Sequence, residues 1–507
     1  MKLRLSLIIS LTARPPARAL LFALIFIAIS VTPGRTQSVD QPGAQAGEQP
    51  PSPEPQPAAP TPGVRPGTVS LGDKVRVGGY GSFRFETNSL EEPKAAGFDF
   101  RRFVLTTDVT LHDRIQAYAE IEFERLGEIE VGRRLERSAA GAAFTEELEG
   151  GSGGELSIEQ VWGQFKFGDP LFVRIGQILP PVGRFNIAHD DDRWDLPRRS
   201  LVDRGAPVLP VRAAWTELGA GILGGLDVGS TGRLNYQAYV VNGAILDFSI
   251  EKSVASAAGE PALIKLASEF SLSRGPVNGE GGARAGTWRL GYSPTLSSEI
   301  AVSGYHGRYT PDFMAPVSER VNALGVDGIW RRNSFALEGE YIHSDFGDTG
   351  RVVQAFIDTI TGATGDSPRP GAPGTVTEFT IKDLTPARQG FWLEARYRFW
   401  PEGWRKGVLG QGFENPQLTP VIRYERVTLK DAIDEVALEG GEIGTPDRQT
   451  LRQERTTVGL SYRPLSTVVF SVAVEFNRRL EGDVLVFPRG ADAGSYTSLL
   501  AGLAIGF

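Results

Sequence analysis

The densest run of chemically capable side chains is His189–Arg204, HDDDRWDLPRRSLVDR. Asp190, Asp191, Asp192 and Asp195 stand there among Arg193, Arg198, Arg199 and Arg204. Carboxylates and guanidiniums so mixed suit three roles. They can hold a hard cation through oxygen, face one another across a constriction, or form a solvated loop. The spacing matches no calcium-binding loop, and no metal site is expected. Nucleophilic catalysis would need an activated nucleophile with a base in reach. Cysteine is absent, and the histidines are His112, His189, His306 and His343. His306 follows Ser303 and His343 adjoins Ser344, but neither pair has the spacing of a nucleophile motif. Phosphate-binding loops, dinucleotide fingerprints and HExxH are absent too, so neither an enzyme nor a cofactor is expected.

What positions these groups is legible from composition and period. Lys2, Arg4, Arg14 and Arg18 precede an apolar run from Ala19 to Ile29, the pattern of a secretory signal over residues 1–30. The run is too short for a comfortable transmembrane helix. Without those four cations the net charge falls from −8 to −12, which argues against nucleic-acid binding. Asp40–Pro66 holds nine prolines and cannot build a core, so 31–70 is expected to be a disordered periplasmic linker. Residues 71–507 carry the fold.

From Lys74 onward the chain alternates apolar and polar residues with period two. In IQAYAEIEF, Ile115, Ala117, Ala119, Ile121 and Phe123 share one face, and Gln116, Tyr118, Glu120 and Glu122 the other. In FWLEARYRF, Phe391, Leu393, Ala395, Tyr397 and Phe399 oppose Trp392, Glu394, Arg396 and Arg398. About sixteen strands are expected, near 74–88, 98–111, 114–125, 155–168, 171–180, 212–224, 232–243 and 283–293, then 298–310, 318–331, 333–345, 388–400, 417–429, 450–463, 466–478 and 495–507. Connections alternate. Tight turns at His112–Asp113, Gly168–Pro170, Ser293–Thr295, Arg332–Asn333 and Arg463–Leu465 interleave with long ones at 126–154, 181–211, 244–282, 346–387, 430–449 and 479–494. The turn 401–416 is longer than this rule predicts. Short periplasmic turns and long outer loops are the habit of up-and-down barrels in the outer membrane.

The chain ends on Phe507, with Ile505, Leu503, Ala501 and Leu499 on its face. Such a strand is similar to the signal that outer-membrane barrels present to the barrel assembly machinery. In hydrocarbon an open edge leaves backbone groups without partners, so the last strand must pair with the first. The fold class expected is therefore all-β: a closed, up-and-down, transmembrane antiparallel barrel. Tyr80, Trp288, Tyr292, Tyr397, Trp400, Trp404 and Tyr462 lie near strand ends, where aromatic girdles sit.

Val173–Gly183, VRIGQILPPVG, resembles a segment of the phosphate-selective porin O and P family, in which a strand ending in Gly-Gln passes through a Pro-containing turn to a Gly. Arg199-Ser200-Leu201, Gly78-Gly79-Tyr80, Phe100-Arg101-Arg102 and Tyr239–Gly243 (YVVNG) follow the same family in order. The resemblance implies a sixteen-stranded porin, usually a homotrimer in outer-membrane lipid. The expected function is a passive diffusion channel for small hydrophilic or anionic solutes, phosphate being the family's namesake. A structural or adhesive barrel acting through its long loops is the alternative, and an outer-membrane hydrolase a lesser one.

Alternation predicts the lumen lining. Inward cations are Arg76, Arg84, Arg102, Lys166, Arg174, Arg289, Arg396, Arg398, Arg423, Arg455 and Arg463. Inward anions are Glu86, Asp108, Glu120, Glu122, Glu124, Glu338, Glu340, Glu394 and Glu425. The two sets nearly cancel, and lysines number only nine, so weak or anion-leaning selectivity is expected. The inward charges read either as a wall of cross-strand ion pairs or as an arginine track opposing an acidic one. The 189–204 segment, in the third outer loop, is expected to fold inward as the constriction.

Overall fold

The computed structural model describes residues 68–507 apart from 91–95, 125–127, 139–140, 152–154, 206–207, 256–261, 277–283, 315–316, 364–374, 383, 440–441, 444–446 and 489. The expected signal and most of the proline-rich linker lie outside the described residues.

Period-two patterning has become sixteen strands, labelled here in chain order. They are β1 Val75–Asn88, β2 Ala96–His112, β3 Ile115–Glu124, β4 Glu155–Gly168, β5 Leu171–Ile178, β6 Glu217–Val228, β7 Gly232–Val241 and β8 Ala285–Thr295. The second half comprises β9 Ser298–Arg308, β10 Arg320–Arg332, β11 Phe335–Asp345, β12 Ala387–Tyr397, β13 Gln417–Glu439, β14 Asp447–Leu465, β15 Val468–Glu481 and β16 Ser495–Gly506. Each pairs antiparallel with its chain neighbour, and β16 returns to β1 from Tyr80↔Gly506 to Asn88↔Ser498. The seam is finished by Phe507, whose amide donates to the Gly79 carbonyl at 3.0 Å while its own carbonyl accepts from Gly79 at 2.9 Å. Among the described residues the sixteen-stranded wall leaves no open edge, which hydrocarbon demands because each unpaired backbone group there costs several kcal/mol.

The faces divide as the alternation predicts. Ile121, Leu393, Ile422, Val472 and Leu499 are exposed on the outside, while Glu120, Glu122, Glu394 and Arg396 are buried within. Trp288, Tyr292 and Tyr397 are exposed outside near strand ends. Tyr80 departs from the expected girdle: it points inward and is 0% exposed.

Two stretches differ from expectation, and a third, the long turn 401–416, is found as expected. The strand placed at 212–224 begins only at Glu217, because Trp215 is drawn into the lumen against Tyr305, ring centroids 4.6 Å apart. Most of the loop placed at 430–449 is strand: β13 and β14 run on past the barrel wall as a hairpin in which Glu435 pairs with Asp447. The long turn 401–416 folds back on the wall. There Trp400 stacks on Tyr462 at 6.0 Å and meets Trp404 edge-on at 6.3 Å.

Above the rim, outer connections pair with one another. The hairpin Ile245–Ala255/Ala262–Ser273 lies parallel to Thr375–Lys382, which pairs with the outer end of β13. Helix α2, Thr349–Ala363, packs Phe356 against Phe248 and Phe270, at 4.8 and 4.7 Å. A separate hairpin, Glu128–Ser138 with Gly141–Gly151, forms between β3 and β4.

Candidate functional site

The third outer connection, 179–216, does not stand above the barrel. It enters the lumen, and its entry begins within VRIGQILPPVG. Gly176 has φ +136°, and a Cβ there would lie 2.2 Å from the Val161 carbonyl oxygen. Gly183 has φ +77°, and its Cβ would meet Ile342 at 2.8 Å. Only glycine fits either place. Beyond Gly183 the short helix α1, Arg184–Ile187, abuts β11, where the Glu340 carboxylate accepts the amides of Arg184 and Phe185. Asn186 closes the base of the loop. Its amide nitrogen donates to the Pro180 carbonyl at 2.8 Å, and its oxygen accepts from the Trp215 amide at 2.7 Å.

One half of the loop is apolar. Phe185 stacks on Trp194 at 3.9 Å, and Trp392 of β12 meets both edge-on at 4.9 and 5.8 Å. Leu201, Val202, Val208 and Leu209 are buried with them. The wall makes room with glycines: Val202 and Val208 lie over Gly390, Leu196 over Gly459, and Pro197 over Gly502. Burying such side chains contributes about 1.5–3 kcal/mol each.

The other half is charged, and the wall answers it group by group. Asp195 accepts from Ser461 and from Arg463, both at 3.0 Å, with Arg396 at 3.7 Å and Arg398 at 3.8 Å. Arg463 also donates to the carbonyls of Asp192 and Trp194. Asp191 accepts from Ser82 at 2.8 Å and lies between Arg199 at 3.3 Å and Arg102 at 3.5 Å. Arg198 reaches Glu86 and Glu475. The carbonyls of Arg198 and Arg199 accept from Arg423 and Arg455, and the Leu201 amide donates to Glu425. Asp190 holds Arg193 at 3.1 Å. The π-helical turn Leu201–Gly205 includes Arg204, whose side chain lies outside the described residues. The aspartates thus go to separate partners instead of converging on one cation.

These surroundings fix the loop's charge states. Burial alone would raise the Asp195 carboxyl, but Arg463, Arg396 and Arg398 outweigh it and hold the group well below the usual carboxylate range. Asp191 is half-buried, and Arg102 and Arg199 hold it low in the same way.

The expected lining residues fall into cross-strand ladders. Arg102 pairs with Glu122 at 3.1 Å, Arg423 with Glu394 at 2.5 Å and Arg455 with Glu425 at 2.5 Å. Arg396 joins Glu338 and Glu394, and Arg184 from the loop also reaches Glu338. Arg289 grips Asp327 at 2.5 Å and Glu299 at 3.0 Å. Arg174 bonds Gln164 and lies 3.9 Å over the Trp162 ring. Glu120 accepts from Tyr118 and Gln160. Arg84 touches Glu86 and Asp99, and Arg76 sits opposite Asp108. Lys166 stays apart, pairing with Asp169 at the turn side.

Asp327, Glu299 and Glu475 complete these ladders yet were not in the sequence-derived lining. Their alternation on β9, β10 and β15 would have placed them. Alternation also places Ser461 and Trp392 on the inner face, but it does not tell their roles, and Asn186 has no such signal, because these roles exist only once the loop has entered. The serine–histidine neighbours do not form a pair. The Ser344 hydroxyl donates to the Val208 carbonyl at 2.6 Å, while His343 bonds Asp345 on the opposite face.

A closed sheet of sixteen strands, apolar outside and charged within, defines an outer-membrane β-barrel, and its place is the bacterial outer membrane. No family model matches the chain. Over 170 residues it is 28% identical to an uncharacterized protein of Aquifex aeolicus (strain VF5), a match taking in 33% of this chain and 32% of that one. The chain thus spans about a third of that relative's length. Among solved structures it is similar to OmpF of Salmonella typhi in complex with daunomycin, at 10% identity over 87% of this chain and 100% of that one, TM-score 0.48. It is similar to OmpT of Vibrio cholerae at 9% identity over 86% and 98%, TM-score 0.41. The outer membrane channel DcaP of Acinetobacter baumannii is similar at 10% identity over 85% and 98%, TM-score 0.38. The barrel rests on its own strand order and register, independently of these likenesses.

Proposed function

We propose that the protein is a passive diffusion channel whose third loop sets the constriction. One observation carries this: the segment 179–216 lies inside the barrel and is tied to the inner wall by paired charges, while a small cleft remains beside it whose polar lining is Ser82, Arg84, Arg101, Asp191, Arg199 and Ser471. A barrel needed only as a rigid support has no call for so much charge on its inner face, whereas a water-filled passage does. The solutes are small, hydrophilic and of either sign with an anionic lean, because inward arginines are matched by carboxylates nearly one to one. Phosphate preference is the finer reading that the porin O and P resemblance implies. A homotrimer, and recognition by the barrel assembly machinery through the Phe507 strand, belong with it. Reconstitution in planar bilayers tests the channel: discrete conductance steps support it, and a folded, inserted barrel that stays silent refutes it.

A second reading has its own support. Phe185, Trp194, Leu201, Val202 and Trp392 form a dry core inside the barrel, as a plugged, structural or adhesive barrel would. Silence in the bilayer, with conductance restored once the loop is released, would favour it.

A further inference from the structure

We infer that Glu120, Glu159 and His189 form a binding site for one divalent zinc-like metal ion, which fastens the third loop to the barrel wall. The site joins three distant segments: Glu120 on β3, Glu159 on β4 and His189 on the loop. One imidazole nitrogen and two carboxylate oxygens lie within 4.8 Å of one another, on residues 1%, 5% and 2% exposed. Imidazole with carboxylates is a ligand set for borderline metals such as zinc, with a fourth position left for water.

The geometry around the three residues is that of prepared ligands. The His189 Nδ1 atom faces the Asn186 carbonyl at 3.1 Å, so Nε2 is turned to Glu159, 2.8 Å away. A backbone carbonyl on one ring nitrogen is the usual way to orient a metal-binding imidazole. Asn186 is the residue that clamps the loop's base, so the ring orientation is built into the loop fold. Glu120 is held equally firmly, its Oε2 accepting from the Gln160 amide at 2.7 Å and from the Tyr118 hydroxyl at 3.1 Å. Around a tetrahedral ion with bonds near 2.1 Å, ligand atoms stand about 3.4 Å apart. To reach that spacing the 2.8 Å His189–Glu159 contact opens slightly while any wider pair, all within 4.8 Å, closes.

The charge around the site favours a cation. Glu122 and Asp190 are buried beside it, with Arg102 and Arg193 each holding one of them at 3.1 Å. Glu120 and Glu159 add two further carboxylates to the one imidazole, with Arg102 the guanidinium on the Glu122–Glu159 side. Buried carboxylates are stabilised when paired or metal-bound. The ion's effect is structural. It ties His189 to β3 and β4, while Asp195 ties the far part of the loop to β12 and β14. The inference holds whether or not the barrel conducts.

The test uses the full chain, folded in detergent, with zinc ion alone as probe. Competition against a fluorescent zinc indicator should show one ion bound per chain. X-ray absorption of the wild-type complex should show nitrogen and oxygen ligands that include one imidazole. Glu120→Gln and His189→Gln should each weaken binding tenfold or more, whereas His306→Gln, on an exposed strand face, should not. Zinc should also raise the temperature at which the folded band converts on gels, in the wild type and not in those two variants. Absence of saturable 1:1 binding to the wild type would overturn the site. So would binding that both substitutions leave unchanged. A His189–Glu159 pair that merely braces the loop would give destabilised variants and no zinc binding.

Discussion

Asp195 and Arg463 are 268 positions apart, yet the Asp195 carboxylate accepts from Arg463 Nε at 3.0 Å with 0% exposure on the aspartate side. The contact joins the crest of the loop to β14 across the lumen. Ser461 donates to the same carboxylate oxygen, so this one group holds two donors of the wall. Removing one partner of such a buried pair costs about 3–5 kcal/mol, because the other is left charged and uncompensated. Asp195→Ala should therefore free the loop while the strands stay folded. Limited proteolysis should cut within 189–204 in the variant and spare the wild type. Equal resistance in both would mean that the apolar half holds the loop alone.

The same group predicts a pH dependence. Asp195 is held below its ordinary value by Arg463, Arg396 and Arg398 against the opposing effect of burial. Its contribution is complete above the unfolded value of about 3.9 and is lost as pH falls through the lower folded value. The loop should thus remain protected at pH 5 and at pH 4, and become accessible to an acid-stable protease only in stronger acid. Asp195→Asn should weaken this dependence, with Asp191 carrying the rest. Release of the wild-type loop already at pH 5 would contradict the assigned environment.

Asn186→Ala removes three hydrogen bonds at the base of the loop and leaves the Trp215 amide without its acceptor, while the Pro180 carbonyl keeps the Val182 amide. The orphaned amide costs about 1–3 kcal/mol. Heat-modifiable gel migration should show conversion at a lower temperature, with yield of folded barrel preserved. Unchanged conversion would show that water or a neighbour replaces the clamp.

The barrel was legible because its evidence is periodic. Alternation in IQAYAEIEF or FWLEARYRF states which face meets lipid, and a tight turn such as Arg332–Asn333 states where the chain reverses. The inward loop was legible only by its charges. Its apolar half, Phe185, Trp194, Leu201 and Val202, has no period, since irregular segments pack by shape. The glycines that receive it, Gly390, Gly459 and Gly502, are separated by tens of residues and look individually like ordinary strand glycines. The sheet above the rim was hidden for another reason. Its central pairing, Ala262↔Thr375, is parallel and joins two different loops, so no turn signal announces it.

Charge at the constriction should set ion selectivity. Arg396 lies among Glu338, Glu394 and Asp195, and Arg398 is 39% exposed at the side chain beside Asp195. Neutralising both as Arg396→Gln and Arg398→Gln leaves surplus carboxylate there. The reversal potential in a KCl gradient should move towards cations. An unmoved potential would place both residues away from the conducting path.

The central claim is that the third loop narrows a conducting barrel, and single-channel recording tests it most directly. The wild type, Asp195→Ala and a deletion of 189–204 would be inserted in planar bilayers under one salt. The account predicts small discrete steps for the wild type and larger ones for both variants, with the deletion largest. Equal step size in all three, with each protein shown to be folded, would contradict it.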